Sequence, residues 1–322
     1  MLNRKMYIII SIIIVVIIII SVFSLNFLNS NYYAIKSNNS VIKVAKVELL
    51  SNVTTVLVGN SNLPYSFRAY DYVGINTNLW NLGKNSKGNV MMNLNGSTLN
   101  VVVNFTKAMY LGYPSVLGYP EILYGVDVWG SNVPPPSNLL FLPQPLYNIS
   151  NNTLLLVKYL ISDHSGTPID FAYDIWIVKN VTTAGATHGD IELMIWLDDE
   201  YGMVPAGKYV TTVKIPLIIN GNVVISNFLV YVDNGTLNPW TIITFKLDSP
   251  ISNGSVGISL GYFVKELTKI LVNYFNWNEN YINNLMMQTI DIGSEFRQNP
   301  YGGAQYTFTI YDYSIEIVNR FP

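Results

Sequence analysis

The chain has 322 residues, of which 50% are apolar and only 12% are charged, and its formal net charge is −2. That length allows one large domain or two small ones around a sizeable core. The near-neutral charge argues against a nucleic-acid partner, which requires a basic face, and the absence of cysteine excludes disulfides, thiolate zinc sites and cysteine nucleophiles.

An uncharged apolar run, residues 6–23, follows Arg4 and Lys5 at the N-terminus. A run of this length can just cross a bilayer core of about 30 Å, and the two cations favour a cytoplasmic start with the rest of the chain outside. The run is longer than a usual signal h-region, which favours an anchor, while the small Ser24 is compatible with cleavage. We therefore expect residues 1–25 to be a signal peptide or signal anchor and the protein to be extracellular, either secreted or membrane-anchored.

Residues 26–46 are rich in Asn and Ser and have no clear period, so they are predicted to be a polar linker, with a single domain over 47–322. Glycosylation would agree with export, although a chain this rich in Asn, Ser and Thr also forms Asn-x-Ser/Thr sequons by chance. The sequons lie at Asn38, Asn52, Asn95, Asn104, Asn148, Asn151, Asn180, Asn234 and Asn253.

Short runs of Val, Ile, Thr, Tyr and Phe, separated by Gly, Asn and Pro, predict a β-rich domain. Strands are expected over 98–105, 209–219, 223–232, 240–247 and 305–318, with a hairpin turn at Asn220-Gly221. One segment, 260–275, instead places Val264, Leu267, Leu271 and Tyr274 on one face of an amphipathic helix. Many strands with one helix predict an all-β jelly roll of two packed, curved antiparallel sheets.

Three further strands alternate between an apolar face and a face that bears acids. Residues 191–197 place Glu192, Met194 and Trp196 on the second face; 171–177 place Asp174 and Trp176 there; and 289–296 place Asp291, Gly293 and Glu295 there. A solvated outer face is the simplest interpretation. Trp and Met are poorly suited to such a face, however, and their mixture with carboxylates suits a sugar-binding cleft.

These residues resemble glycoside hydrolase family 12, the compact endoglucanases. Residues 189–197, GDIELMIWL, resemble the nucleophile strand of that family, typically GDYELMIWL. Residues 172–176 resemble its AYD strand, and 293–296 resemble the GTEPF segment around its acid/base, here without the proline and with Arg297 following. Weaker matches over roughly 70–318 are Asn78-Leu79-Trp80, the segment 119–125 with Trp129, Trp240 with Phe245, and the helix before the second Glu.

The resemblance implies retaining hydrolysis of β-1,4-glucan in an open cleft. Glu192 would be the nucleophile, and Glu295 the general acid and then the base, so Glu192 should be ionised and Glu295 protonated in the free protein. Asp174 would share a hydrogen bond with Glu192. We expect Asn78, Trp80, Trp129 and Met194 to bind substrate, Trp176 and Trp196 to be equally compatible with substrate contact or core packing, and Trp240 to be structural.

Other kinds of site are not supported by the sequence. The two histidines, His164 and His188, have no ligand spacing, so no metal site or Ser-His-Asp triad is predicted, and no cofactor is expected. The preferred interpretation is an exported, monomeric endo-β-1,4-glucanase that contacts the membrane only through its N-terminal segment. A glucanase specific for xyloglucan or mixed-linkage β-glucan remains an alternative, as does a non-catalytic carbohydrate-binding jelly roll.

Overall fold

The computed structural model describes residues 43–49, 54–70, 72–113, 116–130, 142–163 and 165–321. The predicted signal segment, 1–25, and most of the predicted linker, 26–46, lie outside these ranges. The first strand begins at Lys43, so the last residues assigned to the linker pair with the domain. In the part of the chain that is described, no helix is long and apolar enough to cross a membrane.

Seventeen strands and two α-helices make up the described chain. The strands are β1 (Lys43–Glu48), β2 (Thr55–Gly59), β3 (Phe67–Tyr70), β4 (Val73–Asn76), β5 (Lys87–Asn95), β6 (Thr98–Lys107), β7 (Glu121–Gly125), β8 (Gln144–Pro145), β9 (Thr153–Ser162), β10 (Ile169–Val178), β11 (Ile191–Glu200), β12 (Lys208–Ile219), β13 (Asn222–Asn234), β14 (Thr241–Leu247), β15 (Asn253–Ser259), β16 (Met286–Gly293) and β17 (Ala304–Val318). The helices are α1 (Leu260–Phe275) and α2 (Glu279–Asn283), and a 3₁₀ turn spans Leu146–Asn148.

The strands form two curved layers that are joined at β12, as in a jelly roll. One layer runs in the order β3-β4-β7-β16-β10-β11-β14-β13-β12. Residues 217–219 of β12 also pair with β15, and the second layer continues as β15-β9-β17-β6-β5-β2. β1 pairs with the end of β17, and β8 pairs with the start of β16. The pairing is antiparallel except between β11 and β14, which are parallel.

The core lies between the two layers, and the alternation predicted from the sequence supplies its side chains. One row of inward-facing residues crosses the first layer from β4 to β13 in direct register, and every member is fully buried: Ile75, Ile122, Ile292, Tyr173, Ile195, Phe245 and Val230. Period-two alternation then forces the intervening residues of the same strands onto the opposite face, which we call the site face.

Helix α1 has the predicted bounds, and three of the four residues predicted for its apolar face, Val264, Leu267 and Leu271, are buried. Its buried side chains include Phe263, which contacts Phe228 and Phe245 edge-on at centroid distances of 5.1 and 5.4 Å. Tyr274, predicted to lie on the apolar face, is instead exposed. Only the first three turns of the helix are buried against the sheet, and the chain leaves the helix at Asn276, whose φ is 57°.

The predicted strands are observed with ends shifted by a few residues, apart from one larger difference. Residues 289–296 were predicted as one strand, but β16 ends at Gly293, so Glu295 lies in the segment that follows it. The hairpin at Asn220-Gly221 is confirmed, because β12 and β13 pair across it and both residues have positive φ, 48° and 82°.

Candidate active site

Strand register gathers carboxyl groups from four strands onto the site face. Asp174 on β10 lies opposite Asp291 on β16 and opposite Met194 on β11. Glu192 lies two pairs further along, opposite Trp176. On the other side of β16, Glu121 of β7 lies opposite Gly293. The predicted shared face of Glu192 and Asp174 is therefore confirmed by the register.

Glu192 enters the site face directly after a tight turn. The Asp190 carboxylate accepts hydrogen bonds from the backbone N–H groups of Lys179 and Thr187, at 2.8 and 2.7 Å, and thereby fixes the start of β11. The indole N–H of Trp240 donates to Glu192 Oε2 at 2.6 Å. Trp240 was predicted to be structural. Its contact with Glu192 has no local sequence signature, because the two residues meet only through the β11–β14 pairing.

Burial is the main influence on the charge of Glu192. Burial, followed by the charge of Glu295, raises the pKa of Glu192 to about 8, while the hydrogen bond from Trp240 acts in the opposite direction. Glu192 was expected to be ionised in the free protein, whereas its burial favours the protonated form. Glu192 and Glu295 are thus an interacting pair, and the contacts around each carboxyl decide which of them holds the proton.

Glu295 is held in place beyond the end of β16. The next residue, Phe296, makes single β-bridges to Gly118 and Ile169. The Glu295 backbone N–H donates to Asp170 Oδ1 at 3.0 Å. Burial raises the pKa of Glu295, and its hydrogen bond with Asp170 and the charge of Arg297 act in the opposite direction. Arg297, the residue that departs from the family pattern, therefore favours the carboxylate form of Glu295.

The charges of both glutamates act on Asp174. Burial raises its pKa well above the usual range, and the charges of Glu192 and Glu295 add to that effect. Asp174 Oδ1 is buried and finds no hydrogen-bond partner within the described residues. The predicted bond to Glu192 requires a proton on one of the two carboxyls, because two carboxylates are both acceptors.

Three further acids lie on this side of the molecule. Asp291 was predicted to lie on the acid-bearing face but was given no role, and Glu121 and Asp127 were not predicted to belong to the site. Burial, followed by the charge of Asp127, raises the pKa of Glu121, and burial, followed by Glu121, raises that of Asp291. Asn76 and Asn78 donate side-chain hydrogen bonds to Glu121 Oε1 at 2.9 and 3.1 Å. The amide of Asn78, predicted to bind a glucose hydroxyl, is therefore engaged by a carboxyl group of the site.

Two small apolar clusters flank Glu192 and exclude water from its surroundings. The first contains Val116, Ala172, Met194, Trp196, Met203 and Ile242. The second contains Val128, Trp176, Val178 and Ala186, and Trp240 packs against both. Met194 and Trp196 are only 4% and 2% exposed, so they form the floor beside the nucleophile candidate. The face is thus apolar around the acids, and the solvated-face interpretation is wrong here.

The two tryptophans predicted as sugar platforms are both accessible to solvent. Trp129 and Trp80 are 54% and 42% exposed. Trp129 contacts Trp176 and Trp240 edge-on at 5.8 and 5.7 Å, and its backbone N–H donates to Asp127 Oδ1 at 2.8 Å. Its ring also covers Gly185, where an added Cβ would lie 2.5 Å from a ring carbon. Trp129 is consequently held in place as an aromatic surface, and it contacts Trp240, the residue that donates to Glu192.

Within the ranges that the structure describes, no group of three or more His, Asp and Glu side chains is arranged to hold a metal ion. The site contains the groups that acid–base catalysis on a sugar requires. These are two glutamates with raised pKa values, a buried third acid and exposed tryptophans. A glycosidic bond is cleaved by such a carboxyl pair, one member protonating the leaving oxygen. Together with the jelly-roll fold, these residues define a glycoside hydrolase.

The family follows from the sequence match. Residues 71–318, more than half of the chain, match the family model of glycosyl hydrolase family 12, and the chain belongs to that family. No curated protein matches the sequence significantly.

Solved structures of family members share the fold at low sequence identity. Endoglucanase cel12A from Rhodothermus marinus is 18% identical with a TM-score of 0.59, covering 83% of this chain and 100% of its own. A family 12 xyloglucanase from Bacillus licheniformis is 20% identical with a TM-score of 0.58, covering 82% and 99%. Endoglucanase 3 from Trichoderma harzianum is 18% identical with a TM-score of 0.55, covering 84% and 99%.

Proposed function

We propose that the protein is an exported endo-β-1,4-glucanase that cleaves cellulose-type glucans with retention of configuration. The observation that carries the proposal is the electrostatic coupling of Glu192 and Glu295, each with a raised pKa, beside an apolar floor and exposed tryptophans. Glu192 attacks the anomeric carbon and forms a glycosyl-enzyme while Glu295 protonates the leaving oxygen. Glu295 then removes a proton from water, which hydrolyses the ester.

Burial raises the pKa of both glutamates and so favours a proton in the site of the free protein. Catalysis requires the tautomer in which Glu192 is ionised and Glu295 protonated. Trp240 stabilises the Glu192 carboxylate through its N–H, which favours this tautomer. Once Glu192 is esterified, its charge is gone and Glu295 is free of that neighbour when it acts as the base.

The activity is tested by the release of reducing sugar from carboxymethylcellulose, xyloglucan and mixed-linkage β-glucan. Glu192→Gln and Glu295→Gln should each lose at least about 1,000-fold in kcat on the preferred substrate. Glu266→Gln is the matched control, because Glu266 lies on α1 in an ion pair with Lys269 and should leave kcat unchanged. An active Glu192→Gln protein contradicts the mechanism, and an inactive parent protein that still binds glucan favours the non-catalytic carbohydrate-binding alternative.

Substrate choice between cellulose and xyloglucan is the finer part of the proposal. Both endoglucanases and a xyloglucanase occur among structures of similar fold, which keeps xyloglucan as the second candidate substrate. The ratio of kcat/KM on the two polymers decides between them. Proton NMR of the first product tests retention: the β-anomer should appear first, and an initial α-anomer would refute it.

Export rests on the apolar run of residues 6–23 after Arg4 and Lys5. We propose that this segment directs the catalytic domain to the outside and that the domain acts as a monomer. The mass of the N-terminus of the exported protein separates a cleaved signal from a retained anchor. Protein recovered only in the cytoplasm, or a dimer by light scattering, would contradict the respective part of this proposal.

A further inference from the structure

A buried aspartate, Asp170, forms hydrogen bonds with both the backbone N–H and the backbone carbonyl of Glu295. Asp170 is 0% exposed and lies on β10, four residues before Asp174. Its backbone N–H donates to the Glu295 carbonyl at 3.2 Å, and its Oδ1 accepts the Glu295 backbone N–H at 3.0 Å. The two residues are 125 positions apart in the chain, so this clamp exists only in the folded protein.

The second carboxyl oxygen of Asp170, Oδ2, indicates a further contact. Oδ2 is buried, and no N–H or O–H of the described residues donates to it. A side-chain hydrogen bond between Asp170 and Glu295 is nevertheless among the causes that raise the pKa of Asp170 and lower that of Glu295. Two carboxylates cannot form a hydrogen bond, so one of the pair must carry a proton. Burial without a donor at Oδ2 disfavours a charge on Asp170, which makes Asp170 the better holder of that proton.

We propose that Asp170 is the positioning residue of Glu295 and acts as a neutral carboxylic acid: Oδ1 accepts the Glu295 backbone N–H, and Oδ2–H donates to one Glu295 carboxyl oxygen. The inference rests on the proposed glycosidase function. The other Glu295 oxygen remains available for the proton that passes to the leaving oxygen. Asp170 keeps its own proton throughout and stabilises the Glu295 carboxylate that this transfer leaves behind.

The surrounding charges agree with a neutral Asp170. Burial raises the pKa of Asp170 well above the usual range, the charge of Glu295 adds to this, and Arg297 acts in the opposite direction. On β11, Asp199 lies opposite Asp170 but is paired with Lys246 Nζ at 2.7 Å. The remaining titratable groups that interact with Asp170 or Glu295 are Asp174, Glu192, Tyr119 and Tyr306.

Substitutions at Asp170 distinguish a neutral Asp170, which donates a hydrogen bond to Glu295, from a charged Asp170, which can only accept one. Asp170→Asn keeps Oδ1 and replaces O–H by an amide N–H, so we expect kcat within about threefold of the parent and an unchanged alkaline limb of the pH–rate profile. Asp170→Ala removes both contacts, so kcat should fall at least tenfold with little change in KM, and the alkaline limb should move to higher pH. Asp199→Asn is the control, because it removes a neighbouring carboxylate that does not contact Glu295.

Other outcomes would overturn the inference. If Asp170→Asn moves the alkaline limb to lower pH by a unit or more, Asp170 is charged in the parent protein. If Asp170→Ala equals the parent, the contact has no catalytic role. A readout independent of turnover is the carboxyl ¹³C shift of Asp170 in the parent protein, which should remain that of an acid up to pH 7. Titration near pH 4 would refute the inference even if no glucan proved to be a substrate, and it would leave the proposed function untouched.

Discussion

At the scale of single residues, the reactivity of this site depends on which donors reach two buried carboxyls. The Glu192 carboxyl accepts a hydrogen bond from the indole of Trp240, and the Glu295 carboxyl has a side-chain hydrogen bond with Asp170 that lowers its pKa. Each donor favours the carboxylate form of its glutamate against the cost of burial. In the proposed mechanism, the environment of each carboxyl, rather than the carboxyl itself, therefore assigns the role of nucleophile or acid.

Replacing Trp240 with Phe should test this at Glu192. The change keeps an aromatic ring between the two apolar clusters but removes the N–H that donates to Oε2. A hydrogen bond to a charged group contributes about 1.5–3 kcal/mol, so we expect kcat/KM to fall by about 10- to 100-fold. The pKa of Glu192 should rise, and the acidic limb of the pH–rate profile should move to higher pH.

The control for this variant is Trp277→Phe, which likewise removes an indole N–H but at a residue just beyond the end of α1, where Trp277 contacts Tyr281. It should change neither kcat/KM nor the profile. An acidic limb that stays in place in Trp240→Phe would show that the indole only fills space.

At the scale of elements, the site depends on the end of β16 passing very close to the start of β7. Gly293 is opposite Glu121, and a Cβ at Gly293 would lie 2.3 Å from the Pro120 carbonyl oxygen. A side chain there would push the two strands apart. Glu295 follows two residues later, so the glycine sets how close the acid/base candidate comes to the rest of the site.

Gly293→Ala should therefore reduce both stability and activity. Overpacking of this kind typically costs about 1–3 kcal/mol, and displacement of the following segment should lower kcat beyond the loss of folded protein. Chemical denaturation and kcat measured on the same preparation check this. Gly112→Ala is the control, because its Cβ would approach only Asn81 Oδ1, at 3.5 Å. Unchanged stability and kcat in Gly293→Ala would mean that β7 and β16 can separate without consequence.

At the scale of the whole molecule, buried carboxyls link stability to pH. Burial, with Glu295 second, raises the pKa of Glu192 from 4.5 to about 8, and burial, with Glu200 and Asp199, raises that of Asp198 from 3.8 to about 7. As pH rises above about 4, the unfolded chain loses these protons while the folded protein keeps them. Each group then lowers the free energy of unfolding by up to ~1.4 kcal/mol per pH unit until its folded pKa is passed.

We expect the urea midpoint to be highest near pH 4 and to fall steadily toward pH 8. Asp198→Asn should make the decline between pH 4 and pH 7 shallower, because it removes one of the titrating groups without opening a cavity. Asp248→Asn, at an exposed position, should leave the slope unchanged. A midpoint that rises with pH over this interval would contradict the prediction.

Much of this architecture follows from local sequence. The bounds of α1, the hairpin at Asn220-Gly221 and the separation of Glu192 and Asp174 from their core-facing neighbours were all predicted, because helical and strand periods act over a few residues. The family match to residues 71–318 was also predictable, since the segment around Glu192 is a contiguous motif. The roles of Asn78, Trp80, Trp129 and Met194 in substrate binding stay predictions.

The tertiary structure alone decided which side chains meet. Trp240 reaches Glu192 across 48 positions and Asp170 reaches Glu295 across 125, and neither contact has a local signature. Alternation placed the acids on one face but could not show that two apolar clusters bury it, since those clusters form from separate strands and loops. Sequence therefore determined the strand faces and indicated the proposed reacting pair. Long-range strand pairing decided the burial and the distant donors that shift the pKa of each carboxyl.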